Sequence, residues 1–142
     1  MLRTAPSVPV VGEVVSLNAG EVERALAYWA DEASINLVGM PLEVRDSYHG
    51  KEQVRLWFKC LVAKHFQIRV KVIKVQGDIV ATRTESRSDL TRQMGIAALI
   101  TTEVYVVNEG KIARLTLTIP PGSRLRFTSA LHKEGGVPPH ED

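Results

Sequence analysis

The spacing of apolar residues changes period after His65, and that change constrains the fold more than any other feature of the chain. Before it, apolar residues recur at intervals of three and four: Val22, Ala25, Leu26, Trp29 and Ala33, then Val54, Trp57, Phe58, Leu61 and Val62. Stripes of that kind line one face of a helix. After it, Phe66, Ile68, Val70 and Val72 alternate with Gln67, Arg69 and Lys71, the pattern of a strand covered on one face. The alternation slips by one at Ile73 and Val75, as a β-bulge would make it, and a bulge bends a sheet. Gln76-Gly77-Asp78 turns the chain into a second strand at 79–89. A β-rich run at 95–107, a turn at Asn108-Glu109-Gly110 and a strand at 111–119 complete a meander, which Pro120-Pro121-Gly122 stops.

Helices first and long antiparallel strands after them predict an α+β domain, with the helices laid on one face of a curved sheet. One helix is expected from Gly20 through Ala33, with Asn18 and Glu21 spaced as a capping box. A second follows Gly50, and 10–17 reads as a further short helix despite its valines. The chain has 142 residues, which suits a single core. That domain is expected at 10–132. The ends, 1–9 with Pro6 and Pro9 and 133–142 with Pro138 and Pro139, read as flexible.

Charge and composition exclude several classes of function. A formal net charge of +2 is too small to mark a nucleic-acid-binding surface. The basic cluster Arg55, Lys59, Lys64, Arg69, Lys71 and Lys74 reads as a solvated helix face and strand edge. Cys60 is the only cysteine, so no disulfide closes within the chain. The four histidines, His49, His65, His132 and His140, have neither the spacing nor the thiol partners of a zinc site. There is no glycine-rich phosphate loop, so neither a nucleotide cofactor nor a metal is expected. No apolar run is long enough to cross a membrane and the N-terminus makes a poor signal peptide, which points to a cytoplasmic protein without membrane or nucleic-acid partners.

Several short segments carry a family resemblance. Leu17-Asn18-Ala19-Gly20-Glu21 and the following run to Trp29-Ala30-Asp31-Glu32-Ala33 resemble the opening of SnoaL-like and ketosteroid-isomerase-like proteins. Tyr48-His49-Gly50-Lys51-Glu52 and Glu109-Gly110-Lys111-Ile112 fit the same pattern, so the resemblance spans about residues 10 to 119. It implies the cone-shaped fold of cystatin-like and nuclear-transport-factor-2-like domains. Met40-Pro41-Leu42 and Arg83-Thr84-Glu85 are similar to the limonene-epoxide hydrolase branch, with glutamate in place of the aspartate of its arginine-x-aspartate pair, in which the acid protonates the opening epoxide and the arginine orients the carboxyls. The residues that handle water in that branch fall here on Leu37, Gly39 and Leu117, which accept no proton. By the isomerase pattern the carboxylate base falls on Leu37, the first-helix tyrosine on Glu13, and the buried acid on Thr102 or Glu103.

The strand at 79–89 puts Arg83, Glu85 and Arg87 on one face and Thr82, Thr84, Ser86 and Ser88 on the other. Pattern alone sends the charges to water, because burying an unpaired charge is costly. The resemblance implies the reverse: Arg83 and Glu85 as catalytic candidates inside the cone, Glu103 as a partner for Arg83 or Arg87, and the Thr/Ser ladder on an outer, dimer-forming face. The pocket is then expected to be lined by Trp29, Leu37, Trp57, Phe58, Leu99, Thr101, Glu103 and Leu117, and to take a small apolar molecule. Three functions follow: a cofactor-free acid–base enzyme of isomerase, cyclase or epoxide hydrolase type, a binding protein without turnover, and an association module. Ala81, Ala97, Ala98 and Gly39 leave the cone room, which favours the first two.

Overall fold

The computed structural model describes residues 5–40 and 45–123. Along the chain, α1 (Ser7–Asn18) and α2 (Val22–Leu26) precede β1 (Trp29–Val38) and β2 (Ser47–His49). Helix α3 (Lys51–Ala63) is followed by β3 (Gln67–Gln76), β4 (Ile79–Arg87), α4 (Asp89–Met94), β5 (Leu99–Asn108) and β6 (Lys111–Thr118). The six strands form one curved sheet in the order β2-β1-β6-β5-β4-β3. All neighbours are antiparallel except β1 and β6, where Ile35 pairs with Leu115 and Leu37 with Leu117 in parallel. This is the α+β cone expected from the sequence, with helices packed against its inner face.

Helix α3 and the meander lie where the periodicities put them. Val54, Phe58 and Leu61 form the buried stripe of α3. The slip after Val72 is a real irregularity, since the β3–β4 register shifts between Val72 and Lys74.

The helix expected over 20–33 is cut short. Only Val22–Leu26 is helical, and Trp29 already opens β1. Ala33, Ile35 and Leu37 alternate inward along β1, and the parallel pairing to β6 supplies backbone partners that a helix there would forfeit. Asn18 is not a helix cap either. Its Nδ2 donates to Ile68 O and its Oδ1 accepts from Ile68 N, both at 2.7 Å, which ties the end of α1 to β3.

The short helix read at 10–17 begins earlier, at Ser7, so part of the stretch expected to be flexible is structured and Pro9 is buried. Proline is tolerated there because first-turn N–H groups lack intrahelical partners. At Gly12 the helix lies against Tyr28 so closely that a Cβ would come within 2.5 Å of its ring. The expected tail at 133–142 lies outside the described residues. Among those described, no helix is long and apolar enough to cross a membrane.

The core sits between α1, α3 and the sheet. Trp29 and Phe58 meet edge to face at 5.5 Å, surrounded by Ile35, Val54, Ile112 and Leu115. A smaller apolar cluster of Leu90, Met94, Leu99 and Ile119 lies under α4. Ser88 caps α4, exchanging hydrogen bonds with Thr91.

Candidate functional site

Where the sheet curls away from α3, a cavity of about 90 Å³ opens between them. The inward residues of β5, namely Leu99, Thr101 and Glu103, form its floor, and Leu37 of β1 and Leu117 of β6 extend it. Trp57 and Leu61 of α3 close one side, Phe66 and Ile68 another, and Met40 and Ile119 flank the remaining side. Thr84 and Ser86 of β4 complete the lining. Glu103 is the one ionisable residue among these. Among the described residues, no lysine, arginine or histidine lines the cavity.

Residues named from the sequence divide in two. Leu37, Trp57, Leu99, Thr101, Glu103 and Leu117 line the cavity. Trp29 and Phe58 do not: both are fully enclosed in the core, where Phe58 packs between Trp29 and Trp57.

The catalytic candidates Arg83 and Glu85 are also displaced. Thr82, Thr84 and Ser86 are buried, so strand alternation turns Arg83 and Glu85 to the opposite face. Arg83 is exposed there beside Lys71, and Glu85 sits opposite Arg69. Leaving the two charges in water avoids their desolvation. The same alternation removes the Thr/Ser ladder from the outer face, so it cannot form the dimer surface expected of it. Glu103 pairs with neither Arg83 nor Arg87. His65 ends up on the surface, where its Nδ1 lies 2.8 Å from Asp89 Oδ2.

Three hydroxyls surround Glu103 instead. Thr82 and Thr84 donate to Oε1 at 3.1 and 2.9 Å, and the Tyr105 hydroxyl donates to the same oxygen at 3.0 Å. The in-register pairing of Thr82 with Glu103 and Thr84 with Thr101 brings these side chains together on the inner face. Glu103 is only 5% exposed. Burial lifts its pKa above the ordinary carboxylate range, while the three donors pull it back.

Behind it stands a second acid. Glu13 of α1 is 2% exposed, and its Oε2 has no hydrogen-bond partner among the described residues. Burial, with the Glu103 charge adding to it, holds the Glu13 pKa well above the usual range. Tyr105 is pushed up as well, by burial first and then by both carboxylates. The sequence held one signal of this arrangement: Glu13 falls among Val10, Val14 and Leu17, at an inward position of α1 where an apolar residue is the rule.

Residues 14–115 match the SnoaL-like domain family. The chain belongs to that family. A search of curated protein sequences gives no significant match. Among solved structures, this SnoaL-like chain is similar to an NTF2-like protein from Cytophaga hutchinsonii, with a TM-score of 0.65 and 15% identity over 86% of this chain and 95% of that one. It is similar to a proposed ketosteroid isomerase from Kribbella flavida, with a TM-score of 0.65 and 16% identity over 81% of this chain and 77% of that one. SalBIII, an epoxide hydrolase/cyclase-like enzyme in pyran ring formation in the polyether salinomycin, gives a TM-score of 0.67 and 17% identity over 81% of this chain and 90% of that one. At such identities the likeness establishes a shared fold. The SnoaL-like domain here departs from the sequence expectation in one respect that matters for chemistry: its inward acid is Glu103 rather than Glu85.

Proposed function

We propose that this SnoaL-like domain binds a small, mainly apolar molecule in the cone, with the polar end of that molecule turned toward Glu103. The observation that carries this reading is a single carboxyl at the floor of a cavity otherwise lined by leucine, isoleucine, methionine, aromatic and hydroxyl side chains. Apolar walls with one or two placed polar groups are what a ligand pocket requires. A cavity of about 90 Å³ is small beside the roughly 300–1,000 Å³ typical of drug-sized ligands. Its occupant is therefore compact, or enters by displacing Met40, whose unbranched side chain adapts readily.

A second reading, cofactor-free acid–base catalysis in the same cavity, is supported by the raised pKa of Glu103 and by the fold shared with the isomerase and the cyclase-like enzyme named above. A carboxyl whose pKa burial raises is better placed to give a proton to a substrate oxygen or take one from carbon. Glu103 then replaces Arg83 and Glu85 as the acid–base group.

Binding is tested with a neutral dye whose emission responds to apolar surroundings, displaced by small cyclic hydrocarbons. Wild-type protein should bind and release the dye, and Leu117→Trp, which fills the cavity, should not. Equal dye binding by both proteins would locate the apolar site elsewhere and end this reading.

A further inference from the structure

We propose that the polar end of the ligand is a basic nitrogen, so that the cavity is a site for a small lipophilic amine. This rests on the binding reading above and names the class of molecule it takes.

Three features of the site favour a cation over a carbonyl or a carboxylate. The first is the convergence of the Thr82, Thr84 and Tyr105 hydroxyls on one oxygen of Glu103. Three donors aimed at Oε1 work against the upward pull of burial and favour the ionised carboxyl, and none of these bonds uses Oε2. A ketone or ether would need the opposite state, a neutral carboxyl offering its proton. The second feature is the second acid. Glu13 stands behind Glu103 with its Oε2 buried and without a hydrogen-bond partner, burial holds it toward its neutral form, and among the described residues no basic side chain lines the cavity. The groups bearing on Glu103 are thus one acid from α1, two hydroxyls from β4 and the Tyr105 phenol from β5. A carboxylate ligand would find no cationic partner there among the described residues. The third feature is aromatic: Trp57 and Phe66 line the cavity, and π faces attract cations when water is excluded.

The empty cavity lacks the countercharge that its polar floor calls for. An ammonium head group supplies it, and the apolar skeleton fills the space between α3 and the sheet. If the amine enters neutral, the Glu103 O–H bond breaks, an N–H bond forms, and an ammonium–carboxylate pair remains. If it enters as ammonium while Glu103 is protonated, that proton leaves to solvent.

The test compares cyclohexylamine, cyclohexanone and cyclohexanecarboxylate, three head groups on one ring, with binding read from the methyl NMR signals of Met40, Leu99, Leu117 and Ile119. The amine should bind about tenfold tighter than the ketone or better, as a charge-assisted hydrogen bond does, and the carboxylate should not bind. Amine affinity should rise as pH is raised from about 5 and level off once Glu103 is ionised, because cyclohexylamine stays cationic throughout this range. Glu103→Gln should bring the amine down to the ketone's affinity and flatten its pH profile. The pH profile and head-group order are measured on wild-type protein, so they stand even if that variant folds poorly. A ketone that binds as tightly as the amine, or a flat or falling pH profile, overturns the amine proposal and leaves the binding reading intact. Failure of all three compounds to bind overturns both.

Discussion

Glu13 offers the sharpest stability experiment. It is buried at 2% exposure, one oxygen has no partner, and its pKa is raised well above the ordinary value, chiefly by desolvation. The consequence for stability follows by linkage. An acid whose folded pKa lies above its unfolded pKa binds protons more tightly when folded, so stability is highest at low pH and falls as pH rises from the unfolded pKa toward the folded one. Within that window each pH unit removes up to about 1.4 kcal/mol. Glu13→Gln keeps the shape and abolishes the titration. The variant and wild type should therefore agree within about 0.5 kcal/mol near pH 4, with the variant pulling ahead by about 1–3 kcal/mol near pH 7.5, the usual range for an uncompensated buried polar group. Urea melts at four or five pH values measure this, with the m-value as a check on two-state behaviour. A variant less stable than wild type at high pH, with a parallel pH profile, would mean that Glu13 is ionised and well paired in the folded protein. The desolvated, neutral Glu13 described above would then be ruled out.

Other substitutions probe the rest of the framework. Arg83→Ala should change stability by no more than about 0.5 kcal/mol in thermal melts, since Arg83 lies on the exposed face; a large loss would return it to the interior. Thr84→Val removes a donor to Glu103, so the Glu103 pKa should rise, seen as an upward shift of its carbonyl titration in NMR. Gly39 has φ +91°, and a Cβ there would sit 2.7 Å from Ile119 O; Gly39→Ala should cost about 1 kcal/mol or more in a urea melt. The outer sheet face carries Val38, Thr102, Val104, Thr116 and Thr118 in neighbouring register, with Val104 44% exposed. We expect homodimers through this face in sedimentation experiments, and Val104→Lys should shift them toward monomer.

Legibility of the sequence varied with how many faces each segment buries. Strand β3 is covered on one side by helices, and its alternation of Ile68, Val70 and Val72 with charged residues was plain. Strand β1 was misread because Val22, Ala25, Leu26, Trp29 and Ala33 satisfy a helical stripe, although the chain switches to period two at about Trp29. What decides its state is the pairing with β6, a partner more than seventy residues away that local spacing cannot reveal. Strand β4 presented a different ambiguity. A cavity floor built with hydroxyl groups makes the buried face polar, so Thr82, Thr84 and Ser86 look as suited to water as Arg83 and Glu85 do. Cost separates them: the buried Thr82 and Thr84 hydroxyls are satisfied by Glu103, whereas turning Arg83 inward would take a permanent charge out of water. For Glu103, the family resemblance had pointed to either it or Thr102, and the β4–β5 register decides in favour of Glu103.

The parallel β1–β6 pair has a bearing on how the chain is made. Trp29 pairs with Ile112 and the Ile112 amide donates to Tyr28 O at 2.7 Å, so the first long strand has no lasting neighbour on that side until the last one has left the ribosome. Contacts so distant in sequence carry a large loop-closure cost and form late. During synthesis the inward Ile35 and Leu37 of β1 wait uncovered, and the β3–β4–β5 meander, close in sequence, is the part able to pair first. The sheet should therefore close only once β6 has emerged, and ribosome-stalled chains ending before residue 111 should be cut by protease within β1 while released chains that include β6 resist.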